Sequence, residues 1–410
     1  MKILLIGGGG REHAMGWKLA QSSRVDELIS IPGNPGLAGL GPVIEGIDVT
    51  DVGALSAMAR IQGIDLVVVG PEAPLAAGIV DALDRLGVPV FGPTRAAVQL
   101  ESSKRFAKDV MRRAGVPTAG SASFQDPTAA KQRLAGRDGP YVVKADGLAA
   151  GKGVLVTGSR EEAEAWVDHC LEGGFGAAGE SVLIEDFLDG PELSIFAVCT
   201  DGGPIPLEPA RDYKRLLDHD RGPNTGGMGS YSPVADLPGG LTTEVMTTVI
   251  EPTLAQMAED GRPFRGFLYA GLVLTEDGPR VLEFNVRLGD PETQVVLPRL
   301  DSDLVDLLEG GQPVWSSSAA VNVVLAAEGY PNDPKKGAEI RGLGQVPDDV
   351  LVFHAGTRTE GKRVIVDGGR VLNVVGLGDD LSAARDRAYQ AAAQITWPGR
   401  QMRSDIALQS

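Results

Sequence analysis

The chain has almost no cysteine: Cys170 and Cys199 are the two among 410 residues. They form no metal or redox spacing, so a reducing interior is the simpler expectation. Histidine is scarce too, with four residues, and no Ser/His/Asp or Cys/His arrangement offers a covalent nucleophile. Basic charge is in deficit, 38 Lys and Arg against 55 Asp and Glu, for a net charge of −17. Nucleic-acid phosphates demand a basic surface, so a nucleic-acid partner is not expected. No apolar run approaches the ~18 residues of a membrane span. The opening Met1–Ile6 runs directly into glycines and is too short for a signal-peptide core. These absences together point to a soluble cytoplasmic protein without a membrane partner.

What the chain has in excess is glycine, 55 residues, clustered between apolar runs rather than spaced periodically. Such clusters imply tight turns, some built for close approach of a ligand. The length suggests two to four domains. Short apolar strands at 2–6, 28–31, 66–69 and 88–91 alternate with helical stretches at 11–20, 52–60 and 79–86. That alternation predicts a parallel sheet with helices on both faces and ligands beyond the strand C-termini. A helix is expected from about Ser102 or Ser103 to Ala114, with Gly115 ending it. Strands at 141–145, 154–157, 182–188 and 193–200, with a helix at 161–171, predict an α+β module. A hairpin at 267–288, a helix at 300–309, a Ser-rich link at 315–320, strands to 375 and a helix at 381–395 complete the pattern.

Three segments carry chemistry. Gly7–Gly10 fails the dinucleotide fingerprint, because Glu12 or His13 stands where a third glycine is required. Bare amides at a helix start beside Arg11 could instead cradle a phosphate; a plain strand-to-helix turn is the competing reading, and His13 could reach the same ligand. Gly147-Leu148-Ala149-Ala150-Gly151-Lys152-Gly153 fails as a P-loop, by spacing and because Gly153 replaces the required Ser or Thr. Flanked by strands, it suits a glycine hairpin folding over phosphates, with Lys144 nearby among apolar neighbours. In Arg280–Arg287, strand alternation puts Glu283, Asn285 and Arg287 on one face and Leu282, Phe284 and Val286 on the other. A carboxylate and an amide oxygen suit Mg²⁺ completed by phosphate oxygens, and the guanidinium suits a transferring phosphoryl group. The charged run Asp212–Arg215 and the loop Asn224–Gly229 become plausible substrate loops beside such a site.

Five segments occur in order: Gly9–Ala14, Gly70–Leu75, Lys144–Gly153, Gly222–Gly229 and Gly289–Thr293. Together they resemble the ATP-grasp ligases and, more narrowly, the glycinamide ribonucleotide synthetase family, over essentially the whole chain. The resemblance implies an α/β and α+β multidomain fold. It has an N-terminal parallel-sheet domain (1–101), an ATP-grasp domain (102–318, with a mobile lid at about 118–188) and a small C-terminal α+β domain (319–410). It implies ATP contacts from Lys104, Lys144, Gly151, Lys152 and Gly153, an adenine-side hinge at Glu185, Phe187 and Leu188, and ribose contact from Glu192. Glu283 and Asn285 would hold Mg²⁺ or Mn²⁺. Gly9, Gly10, Arg11, Glu12 and Glu72 would face 5-phosphoribosylamine, and Asn224, Thr225, Gly226 and Gly227 would form a substrate loop. Asp212, Lys214, Arg287 and Asp290 would surround glycine and the reacting phosphate. A monomer or weak dimer is implied. Tyr213 stands where the family usually has His, so an acid–base role for that ring is not supported, and Phe267–Thr275 carries no second metal carboxylate.

Overall fold

The computed structural model describes residues 1–148, 153–174 and 179–408. The first unit is built on β1 (Lys2–Gly7), α1 (Gly10–Leu19), β2 (Glu27–Pro32), α2 (Val52–Ile61), β3 (Leu66–Val69), α3 (Glu72–Ala77), α4 (Ile79–Arg85) and β4 (Val90–Phe91). The strands pair in parallel in the order β2-β1-β3-β4. Ile3, Leu5 and Val68 pack on one face of the sheet, Leu4, Ile6 and Val67 on the other, as a two-sided parallel sheet requires. The fourth strand is shorter than the apolar run 88–91 suggested, because only Val90 and Phe91 find a partner in β3.

α5 (Gln99–Ser102) and α6 (Lys104–Ala114) follow. Ser103 caps α6 by accepting the Phe106 N–H, and Gly115 closes it in the left-handed region. The next lobe comprises β5 (Ser121–Phe124), α7 (Pro127–Ala135), β6 (Tyr141–Ala145), β7 (Val154–Thr157), α8 (Arg160–His169) and β8 (Val182–Glu185). Its antiparallel sheet, β5-β8-β6-β7, has a small core of its own around Val143, Val167 and Ile184. β8 stops at Glu185, three residues before the expected end at Leu188.

The following lobe holds β9 (Glu192–Thr200), β10 (Gly203–Pro206), β11 (Arg211–Asp212), β12 (Arg215–Leu217), β13 (Arg221–Asn224), β14 (Gly229–Ser232), α9 (Leu241–Val245), α10 (Glu251–Glu259), β15 (Gly266–Thr275) and β16 (Gly278–Asn285). Its main sheet runs β10-β9-β15-β16, leaving β16 at an edge. The chain then forms α11 (Thr293–Val296), α12 (Leu304–Leu308), β17 (Ala319–Ala326), β18 (Leu351–His354), β19 (Thr357–Glu360), β20 (Arg363–Val366), β21 (Arg370–Gly378) and α13 (Leu381–Gln394). α12 starts later than the helix expected at 300, since Leu300 is held in a bridge to Trp315. The segment expected as a bare link at 315–320 is therefore partly paired, and β17 begins within it.

The last sheet, β11-β14-β17-β21-β18, contains strands from both 211–232 and 319–378. The C-terminal region is thus not closed on itself: β11 and β14, which bracket the rest of the charged run and the 224–229 loop, belong to its sheet, while β12 and β13 pair only with each other. Among the described residues, no helix is long and apolar enough to cross a membrane.

Candidate active site

The lobes meet around a cavity of about 320 Å³. Its wall includes Arg11 and Glu72 from the first unit, Lys104 and Lys108 from α6, Glu185 from the next lobe, Asp212, Lys214, Glu283, Asn285, Arg287 and Asp290 beyond, and Arg370 from β21.

The alternation of β16, carried two residues past its end, delivers Glu283, Asn285 and Arg287 to this wall, while Phe284 and Val286 join the core, Phe284 also touching the cavity. Leu282 departs from the expected face. A bulge pairs Gly271 with Glu283 but Leu272 with Val281, leaving Leu282 as the extra residue, so it lines the cavity. Arg287 is tethered to Glu72 (3.3 Å), Glu101 (3.1 Å) and Asn285 Oδ1 (3.1 Å). No hydrogen bond or ion pair reaches the Glu283 carboxylate among the described residues. A bare carboxylate beside an amide oxygen fits a hard divalent ion that draws its remaining ligands from phosphate and water.

One end of the cavity is cationic. Lys144 lies 2.9 Å and Lys108 3.3 Å from Glu185 Oε2, and Lys104 donates to the Gly147 carbonyl at 3.1 Å. Lys144, almost fully buried, also donates to the Leu282 carbonyl at 3.3 Å. The other Glu185 oxygen is buried with no partner among the described residues. Burial, followed by the charge of Lys144, holds Lys104 and Lys108 below the usual lysine range, against the opposing pull of Glu283 on Lys104 and Glu185 on both. Asp146 anchors this end: it accepts from the Arg105 N–H, Ser103 and Ser181 and so ties the start of the glycine hairpin to α6. Gly153 lines the cavity. Gly151 and Lys152 lie outside the described residues.

The opposite end is acidic. Lys214 is bonded to Glu192 and lies 3.4 Å from Asp212. Partial enclosure would depress Lys214, but Asp212 and Glu192 hold it well above its usual range. Glu292 accepts from Ser194 (3.1 Å), whose hydroxyl also meets Tyr269 (3.1 Å). Burial, then the neighbouring Asp212, pushes Glu292 up to about 7, and burial raises Asp212 as well. Asp290 runs the other way. Burial would raise it, but Arg370 and Arg11 hold it below the carboxylate range. Arg370 bonds the Asp290 carboxylate (3.2 Å) and carbonyl (2.7 Å) and the Gly226 carbonyl (2.5 Å), joining two loops.

The glycine run has a different reason from the one its composition suggested. A Cβ on Gly7 or Gly9 would meet Glu12, at 2.4 and 2.7 Å; on Gly8 it would meet the Gly33 carbonyl at 2.4 Å, and on Gly10 Asn373 at 2.3 Å. The Gly9 N–H is taken by Glu12 at 2.7 Å, and Glu12 also grips Arg11 at 2.6 Å. Glu12, Gly9 and Gly10 do not line the cavity; Arg11 and Glu72 do. His13 is buried against Phe353 and accepts from the His354 N–H (2.8 Å), away from the cavity. Thr225 and Gly226 line it; Asn224 lines an adjoining cavity, and buried Gly227 lines neither. Lys144, Phe187, Leu188 and Glu192 are not in its wall; Lys144 stands behind it, on Glu185. Tyr213 turns from the site, its hydroxyl accepting from the Ala407 N–H (2.9 Å) under the Arg403 guanidinium.

Glu101, Lys108, Tyr269, Glu292 and Arg370 line the cavity but carry no sequence expectation above. Lys108 was recoverable, being four residues after Lys104 on one helix face. Glu292 sits within a motif already singled out. Arg370 had no local signal, since a β-strand pairing from the far end of the chain brings it in.

Three family models match: phosphoribosylglycinamide synthetase N domain at residues 1–101, ATP-grasp (A) domain at 102–293 and C domain at 320–409. A phosphoribosylamine–glycine ligase of Streptomyces coelicolor is 50% identical over 421 residues, covering 99% of both chains. One of Brucella melitensis is 48% identical, covering 99% of this chain and 97% of the relative. The crystal structure of a phosphoribosylamine–glycine ligase from Thermotoga maritima superposes with a TM-score of 0.84 at 35% identity, covering 99% of this chain and all of the other.

Proposed function

The chain belongs to the phosphoribosylglycinamide synthetase family, and from that premise we propose that it is the ATP-dependent ligase joining glycine to 5-phosphoribosylamine in purine biosynthesis. The observation that carries this reading is the convergence of Glu283, Asn285, Arg287, Lys104 and Lys214 on one cavity that also takes walls from the N- and C-terminal regions.

ATP phosphates lie at the lysine end, against Lys104, Lys144 and the covering hairpin to which Gly151, Lys152 and Gly153 belong. Glu185, Phe187 and Leu188 serve the adenine side and Glu192 the ribose, for which Glu192 must leave Lys214. Glu283 and Asn285 would hold Mg²⁺ or Mn²⁺, which would offset phosphate charge. Glycine lies toward the acidic end, its ammonium between Asp212 and Glu292, with Lys214 and Asp290 near the reacting phosphate. Phosphoribosylamine approaches from the side of Arg11 and Glu72 and the 224–227 loop.

The glycine carboxylate attacks the γ-phosphorus, and ADP leaves as the acyl phosphate forms. The amine of phosphoribosylamine then attacks the glycyl carbonyl; phosphate leaves and the nitrogen gives up a proton, leaving an amide. Arg287 faces charge developing on the transferring group, and no protein nucleophile takes part. Closure of the lobe at 118–188 shields the acyl phosphate from water. Holding glycine's own amine as an ammonium keeps it from competing as a nucleophile. The working compartment is the cytoplasm.

Incubation with ATP, Mg²⁺, glycine and freshly generated phosphoribosylamine, followed by mass detection, is expected to yield glycinamide ribonucleotide and ADP in equal amounts. ADP release that does not depend on glycine would contradict the assignment.

A further inference from the structure

Four acceptors hold Arg287. Its Nε donates to Glu72 (3.3 Å), one terminal nitrogen to the Leu288 carbonyl (3.2 Å), and the other to Asn285 Oδ1 (3.1 Å), the last lying 3.1 Å from Glu101 Oε1 as well. Glu101 differs from the other three. Its side chain is 7% exposed, and its second oxygen accepts the Val286 N–H at 2.7 Å. β16 is an edge strand that ends at Asn285, so this amide has no strand neighbour to bond. One carboxylate therefore satisfies the backbone at 286 and orients the guanidinium at 287. Swinging away from either bond breaks the other.

The chain around Glu101 adds a second constraint. Glu101 lies in α5, Ser103 caps α6, and Lys104 is the first residue of α6. Three positions thus separate a carboxylate gripping Arg287 from a lysine at the phosphate end of the cavity. An amide side chain could accept the Val286 N–H equally well. The ion pair is what requires a charge, and burying that charge is costly unless a cation answers it. Burial pushes Glu101 above the carboxylate range, and Arg287 draws it back.

We propose that Glu101 is a positioning residue for phosphoryl transfer, setting the Arg287 guanidinium and, through the shared nitrogen, the Asn285 amide, in register with Lys104. The proposal rests on the reading of Arg287 as the cation that meets the transferring phosphoryl group.

Glu101→Gln in the full chain keeps an acceptor for Val286 and removes the charge. It is expected to lower kcat about 30-fold while the KM values for ATP and glycine stay within about threefold and the thermal midpoint is retained. In an Arg287→Ala background the same change should cost less than about twofold, because its target is gone. Glu101→Ala, which also abandons the Val286 N–H, should lower the midpoint as well. Wild-type kcat in Glu101→Gln, or an undiminished loss in the Arg287→Ala background, would overturn the proposal. Arg287→Ala with full turnover would instead remove the reading beneath it, a result read from that variant alone.

Discussion

At one end of the cavity Lys104 and Lys108, with Lys144 behind the wall, gather around the carboxylate of Glu185; at the other, one lysine, Lys214, stands among Asp212, Glu192 and Glu292. Each end lacks the counter-charge that a ligand would bring. Burial pushes Lys104 and Lys108 toward neutrality, a tendency that a phosphate would oppose. Glu292 and Asp212 are pushed the same way from the opposite sign and so favour an ammonium. The contrast teaches how a cavity polarised in this way suits a polyanion at one end and a zwitterion at the other, with Arg287 and Glu283 between them, where the proposed phosphoryl transfer would take place. A polarised cavity orients its substrates before any contact is made.

Removing the cation at the junction should have the largest effect. Arg287→Ala is expected to lower kcat about 1,000-fold with ATP affinity changed by no more than about threefold, checked by steady-state ADP release. At the lysine end, Lys144→Ala strips a partner from buried Glu185 as well as the proposed phosphate contact. The KM for ATP should rise on the order of tenfold or more while that for glycine holds. On the amine side, Arg11→Ala should raise the phosphoribosylamine requirement several-fold, on the order of 1 kcal/mol, and spare glycine. A shift in the glycine requirement would show the two ends misassigned.

The smallest effect concerns pH. Glu292 sits at about 7 in the ligand-free cavity. Below that pH it is largely neutral and holds an ammonium weakly; above it the charge is present. The KM for glycine should therefore fall a few-fold between about pH 6 and pH 8, and Glu292→Gln should flatten that dependence. A glycine KM that ignores pH in the unmodified protein would remove Glu292 from the ammonium site.

How much of this could be read in the sequence follows from the range of the forces involved. β1–β4 and β16 were legible because their patterns are local: buried runs for a two-sided sheet and alternation for an edge strand. The bulge at Leu282 was not, since it depends on register against β15. The glycines at 7–10 were visible, but their reason was hidden. The atoms they make room for, the Glu12 side chain, the Gly33 carbonyl and Asn373, are named only by the fold. Asp212–Arg215 and Asn224–Gly229 read as substrate loops without strands, because β11 pairs with β14 and β14 finds its other partner, β17, about 90 residues on. Arg370 was unreadable for the same cause. Arg403, buried and bonded to Asp220, Asp405 and the Arg215 carbonyl, likewise fastens the hairpin before the 224–227 loop to the chain's far end.

The most direct test is a crystal of the full chain grown with a non-hydrolysable ATP analogue, Mg²⁺ and glycine. Triphosphate oxygens should lie on Lys104, Lys144 and the ion beside Glu283, and the glycine nitrogen between Asp212 and Glu292 with its carboxylate toward the γ-phosphorus. A nucleotide lodged outside this cavity, or glycine bound with its nitrogen toward the lysines, would contradict the account.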